Sequence, residues 1–101
     1  MKRPRNKKYF YEWLISKTGQ HIETIKIWDD LKEKKITTAI IELQSIDKDA
    51  IIGKILSDPY QGVTFQSYIP VLNQIIMDEN GFTFFESFAN GYLTREFKLI
   101  K

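Results

Sequence analysis

Lys2, Arg3, Arg5, Lys7 and Lys8 place five cations in the first eight residues, and Tyr9 and Tyr11 follow at once. Lysine and arginine bind phosphate, and a tyrosine beside them can stack on a base or ribose, so this pattern predicts an arm that holds DNA or RNA by its backbone. From Tyr9 onward 10 cations face 13 acids, so the body carries −3 while residues 1–8 carry +5. Basic charge confined to an arm on a mildly acidic body predicts a mobile tether. A solvated terminus that only aids solubility, or a nuclear localisation signal, would use the same residues.

Other candidate chemistry is thinner. His21 is the only histidine and the chain has no cysteine. A zinc site would therefore need carboxylates for nearly all its ligands, and none is expected. Asp47-Lys48-Asp49 opens like a calcium loop, but Ile51 and Ile52 stand where that loop needs an oxygen ligand and glycine. Gly53-Lys54 lacks the upstream glycine of a phosphate loop, and Ile55 replaces its Ser or Thr. Asp29, Asp30 and Glu33 form an acidic group that could dock a basic protein partner. With one histidine, no thiol and no phosphate loop, the expectation is a binding protein with no catalytic activity and no cofactor.

Composition sets the frame. At 101 residues with 43% apolar and 28% charged residues, the chain is read as an arm, 1–8, and one globular domain, 9–101. The absence of cysteine favours a reducing, cytoplasmic setting. The longest uncharged stretch, Pro59 to Met77, is interrupted by Gln61, Gln66, Pro70 and Asn73, so no membrane span is expected. Glu12 and Lys17 interrupt the apolar run after the basic start, so no secretion signal is expected either. The chain holds 15 Ile and 12 Lys against 3 Ala, a bias that accompanies AT-rich coding, as in many low-GC bacteria, their phages or archaeal viruses.

The elements that would position these residues follow from periodicity. Asn6 can cap a helix over 7–16, with Phe10, Trp13 and Leu14 on one face and Gly19 as its stop. Ile22, Ile25, Trp28 and Leu31 predict a second helix over 22–34. Ile36 to Leu43 reads as a strand. Asp47 would cap a third helix over 48–56, and a fourth is expected over 67–78; for Val71–Met77 a strand is the competing reading. Asn90-Gly91 predicts a type I′ hairpin turn, which would set Phe84 opposite Phe97, Glu86 opposite Arg95 and Phe88 opposite Leu93.

The expected class is thus α+β, four short helices with a strand and a C-terminal antiparallel hairpin. After the first helix, this order resembles that of a winged-helix domain. That resemblance implies a recognition helix at 67–78, yet no lysine or arginine occurs from Ile55 through Thr94, and Asp58, Asp78, Glu79 and Glu86 lie inside that stretch. A recognition unit without cations forgoes the counterion release that dominates DNA affinity, leaving Gln66, Ser67, Asn73 and Gln74 to read bases. The expectation is therefore a small regulator or nucleoprotein subunit that engages DNA or RNA through its arm. The alternative is an interaction module or inhibitor, of the kind mobile elements encode, whose acidic, aromatic body engages a protein.

Overall fold

The computed structural model describes residues 2–100. One helix, α1 (Lys7–Ser16), precedes seven strands: β1 (His21–Asp30), β2 (Lys34–Asp47), β3 (Ala50–Ile55), β4 (Thr64–Tyr68), β5 (Ile75–Asp78), β6 (Gly81–Phe88) and β7 (Gly91–Leu99). All belong to one antiparallel sheet in the order β4-β3-β2-β1-β7-β6-β5. The expected four-helix arrangement, and the winged-helix order with it, is therefore incorrect.

α1 is the helix the residues predict. Asn6 Oδ1 accepts the Tyr9 N–H at 2.7 Å, and Gly19 takes the left-handed φ of 89° that ends the segment. The second predicted helix is instead β1 and the turn after it. Ile22, Thr24, Ile25 and Ile27 are β-branched and stiff at χ1, which suits a pleated surface better than a helical one. Asp30 then turns the chain, its Oδ1 accepting the N–H groups of Lys32 at 2.7 Å and Glu33 at 2.8 Å. The predicted strand 36–43 lies inside β2, which pairs with β1 through Lys34–Glu42.

The third predicted helix is β3. Asp47 pairs with Ala50 across a tight turn in which Lys48 adopts a φ of 56°, so the Asp begins a hairpin and caps nothing. The fourth dissolves into the end of β4, one turn of 3₁₀ helix at Leu72–Gln74, and β5. Pro70 and the β-branched pair Ile75-Ile76 account for this. The competing strand reading caught β5.

The C-terminal hairpin is present with a different register. Phe82 faces Phe97, Phe84 faces Arg95, Glu86 faces Leu93 and Phe88 faces Gly91, so the turn is Ala89-Asn90. Neither turn residue has a positive φ. Gly91 lies within β7, where a Cβ would stand 2.2 Å from the Asp29 carbonyl oxygen; this close approach by β1 is what demands glycine. The slip is two residues, an even number, so every side chain keeps its predicted face. Arg95 still reaches Glu86 diagonally, Nη2 to Oε1 at 2.6 Å.

The sheet is rolled. Laid flat at about 4.8 Å per strand, seven strands would hold β4 and β5 about 29 Å apart. Only residues 69–74 join them, and even fully extended that link reaches no more than about 25 Å. Contacts across the concave face agree: the Phe65 and Phe97 rings lie 6.2 Å apart, and Arg95 Nη1 donates to Ser67 Oγ at 2.7 Å and to the Tyr68 carbonyl at 3.1 Å. Burial pulls the Arg95 guanidinium below its usual pKa, while Glu86 opposes that shift.

α1 closes one end of the roll. Phe10 and Leu14 are fully buried beside Ile22, Ile41, Leu43, Ile51, Ile75, Phe82, Phe84 and Phe97. Phe82 stacks on Phe97 at 4.6 Å and takes the edge of Phe10 at 5.3 Å. Such ring pairs add about 0.5–1.5 kcal/mol each beyond burial. At the other end the β1–β2 and β6–β7 hairpins project together, joined at their tips by Leu31 N–H donating to the Asn90 carbonyl at 3.3 Å. Among the described residues no helix is long and apolar enough to cross a membrane.

Candidate nucleic-acid interface

The expected mobile arm is held against the body. Lys2 N–H donates to the Met77 carbonyl at 2.9 Å and Met77 N–H returns a bond to Lys2 at 2.7 Å, so the arm lies along the outer edge of β5. Pro4 is buried, and Lys7 and Lys8 already belong to α1. Three anchors, Lys2, Pro4 and the Asn6 cap, hold the backbone and leave the charged side chains in solvent. Lys2, Arg3, Arg5 and Lys8 are all exposed.

The helix continues the pattern. Arg5, Tyr9, Trp13 and Lys17 recur at four-residue spacing, which puts them in one stripe beside the buried Phe10–Leu14 stripe. The Arg5 guanidinium lies 4.7 Å from the Tyr9 ring centroid, and Lys17 Nζ lies 5.4 Å from that of Trp13. Trp13 packs against Phe82 in a T-shaped contact, at 5.8 Å and 87°. Tyr9 is 39% exposed.

Between the arm, this stripe and the β5–β6 turn lies a hollow of about 620 Å³. Lys2, Arg3 and Arg5 line it with Tyr9 and Trp13, and Asp78 and Glu79 of the β5–β6 turn line it too. Among the described residues no ion pair within 4.0 Å engages Arg3, Arg5 or Lys8. The first turn of α1 carries no acid and two lysines, at the end where the helix dipole is already positive. Cations there repel the dipole and each other, and an arriving anion would relieve both.

Tyr11 does not join this surface. Its hydroxyl donates to Asp49 Oδ1 at 2.7 Å, tying α1 to the β2–β3 turn. Burial first, and then the Asp49 carboxylate, push its pKa up to about 12. Lys7, half-buried, sits 6.0 Å from the same ring.

The acidic group is divided by the β1–β2 turn. The Asp30 carboxylate accepts the Glu33 and Lys32 N–H groups and the Trp28 indole N–H at 3.0 Å, and these hold it below the usual carboxylate range. Glu33 pairs with Lys35 at 3.0 Å. Asp29 and Glu33 are both exposed, and Asp29 stands beside Tyr92 and Lys34 in register. His21, expected at a helix start, opens β1, with Nε2 3.9 Å from Glu42 Oε2.

Sequence reasoning missed two features. Trp13 and Lys17 were legible as the continuation of the Arg5–Tyr9 spacing. Trp28 was hidden by its helical assignment. In β1 its ring lies 5.2 Å from that of Phe88, and Lys26, Lys35 and Thr37 share a hollow of about 340 Å³ with it. The chain matches no protein-family model, no curated protein and no solved structure.

Proposed function

We propose that this protein is a non-enzymatic nucleic-acid-binding protein that grips phosphates with its N-terminal segment and the outer face of α1. The observation that carries the reading is the set Arg3, Arg5 and Lys8: exposed, without an ion-pair partner among the described residues, and at the positive end of a helix, with Arg3 and Arg5 sharing a hollow with Tyr9 and Trp13. The groups with displaced pKa values support a binding role over a catalytic one. Tyr11, Asp30, Lys35 and Arg95 are each displaced by contacts that build the fold or by the burial that comes with it.

The test is a salt titration of oligonucleotide affinity for the native chain and the triple variant Arg3→Gln, Arg5→Gln, Lys8→Gln. Neutralisation is preferable to truncation, because Lys2, Pro4 and Asn6 hold the fold while these three do not. The native chain should bind with a log–log salt slope of about −2 to −3, as three or four phosphate contacts give. The variant should bind at least about tenfold more weakly at low salt, with a slope smaller by about 2. Equal affinities would sink the proposal. No binding by either chain would turn attention to a protein partner. The first surface to mutate would then be the convex sheet face, where Ile36 pairs with Ile27 and Tyr92 is 65% exposed.

A further inference from the structure

We infer that the hollow beside α1 receives an unpaired nucleobase, so that the protein selects single strands over duplex, and that it prefers a base presenting N–H donors, guanine foremost. This rests on the nucleic-acid reading above and adds what the site recognises.

Three observations carry it. The first is the pair of aromatic rings. Tyr9 and Trp13 lie one helical turn apart, about 6 Å along the axis, and both line the hollow. A cation already rests over each ring, Arg5 over Tyr9 at 4.7 Å and Lys17 over Trp13 at 5.4 Å. These rings are thus presented to planar, polarisable partners, and a base can stack on the ring or on the guanidinium plane. A duplex keeps its base faces stacked on one another and can use only the cations. A single strand can use both, at roughly 5- to 160-fold in affinity per stacked base.

The second observation is the acidic rim. Asp78 and Glu79 line the same hollow as Lys2, Arg3 and Arg5. A site for phosphate alone gains nothing from carboxylates. A base whose pairing edge offers N–H groups gains two acceptors there, and guanine, with adjacent ring and exocyclic N–H donors, matches a carboxylate best. Asp78 is held ready by its own turn, Oδ1 accepting the Asn80 N–H at 2.8 Å. Uracil and thymine offer only one such donor, flanked by carbonyls.

The third is size. About 620 Å³ lies within the range of pockets that hold small-molecule ligands, and the hollow offers cations for a phosphate and carboxylates for a base edge within the same space.

The experiment measures anisotropy of labelled oligonucleotides with the full chain at low salt. The probes are an oligothymidylate strand, the same strand with isolated guanines, and the latter annealed to its complement. The guanine-bearing strand should bind best and the duplex worst. Tyr9→Ala should lower single-strand affinity about tenfold, leave duplex affinity unchanged, and be rescued by Tyr9→Phe, which keeps the ring. The pair Asp78→Asn, Glu79→Gln should erase the guanine preference while leaving oligothymidylate binding equal or tighter. The amide oxygen introduced by Asp78→Asn can still accept the Asn80 N–H, so the turn is kept. If Tyr9→Ala binds single strands as the native chain does, while neutralising Arg3 and Arg5 weakens them, the inference is overturned and the phosphate reading stands. If the native chain binds no probe, both fall together.

Discussion

Single residues in this molecule show that the same amino acid can serve a different physical purpose from the one its neighbours suggest. Gly91 beside Asn90 looks like turn chemistry, yet the turn uses Ala89-Asn90 at negative φ, and Gly91 is there because the Asp29 carbonyl occupies its Cβ position. Gly91→Ala should therefore destabilise the fold by about 2 kcal/mol, since the β1 backbone must move, and Gly91→Val by more. Asn90→Ala should stay within about 0.5 kcal/mol. Denaturant midpoints of the three variants check this, and a large loss in Asn90→Ala would restore the turn explanation. Tyr11 is a second case. Its folded pKa of about 12 lies above the ordinary value of 10, so its contribution is complete below pH 10 and is lost as pH rises toward 12. Tyr11→Phe should cost about 1 kcal/mol at neutral pH and flatten the alkaline limb of the stability profile. Asp30 works in the opposite sense. Its lowered pKa makes the β1–β2 turn firm above the usual carboxylate range and loosens it as pH falls through the folded value. Fluorescence of Trp28, whose indole N–H it accepts, should report an acid transition that Asp30→Asn removes.

At the scale of elements, the N-terminal segment belongs to the sheet edge as well as to the interface. Its backbone pairs with β5, Pro4 is buried, and Asn6 caps α1. The Lys2–Met77 bridge occupies part of the edge that β5 would otherwise present. Removing residues 2–5 should lower the melting temperature and expose β5, in contrast to the expectation of a mobile tether. Asn6→Ala should cost about 1 kcal/mol through the lost cap. An unchanged melting temperature in the truncation would show that the Lys2–Met77 pairing contributes nothing. The elements also explain why the acidic group is divided: a helix would have put Asp29, Asp30 and Glu33 on one side, whereas a strand alternates Asp29 and Asp30 between faces and spends Asp30 on the turn.

The whole molecule is governed by pairings between distant parts of the chain. β1 pairs with β7 from Ile22–Leu99 to Asp30–Gly91, which joins the first third of the chain to its last residues. Closing so long a loop before any contact repays it makes folding slow, and refolding followed by tryptophan fluorescence should occur in milliseconds to seconds, where a helical bundle of this length would fold faster. Phe10 lies where α1 meets β6, so Phe10→Ala should cost about 3–5 kcal/mol and reduce the stability of helix and sheet together. A variant that loses the helix alone, seen as far-UV signal without loss of the sheet, would contradict a single cooperative core.

What could be read along the chain was what depends on neighbours within about one turn. The Asn6 cap, the Phe10–Leu14 stripe, the Gly19 stop and the in–out sorting of β6 and β7 all rest on local spacing, and each stands in the fold. So does the cationic start with Tyr9 that forms half of the candidate site. Ile22–Leu31 and Ile51–Ile55 went the other way because runs of isoleucine satisfy a helical and an extended period equally, and only a partner strand decides between them. β1 became a strand because β2 and β7 flank it on both sides; the register of β6 on β7 moved by two because β1 approaches Gly91. The hollow beside α1 could not be read at all, since it joins residues 2–13 to 77–79 through the pairing of Lys2 with Met77. Local chemistry supplied the charged and aromatic groups, and long-range hydrogen bonding decided which of them meet.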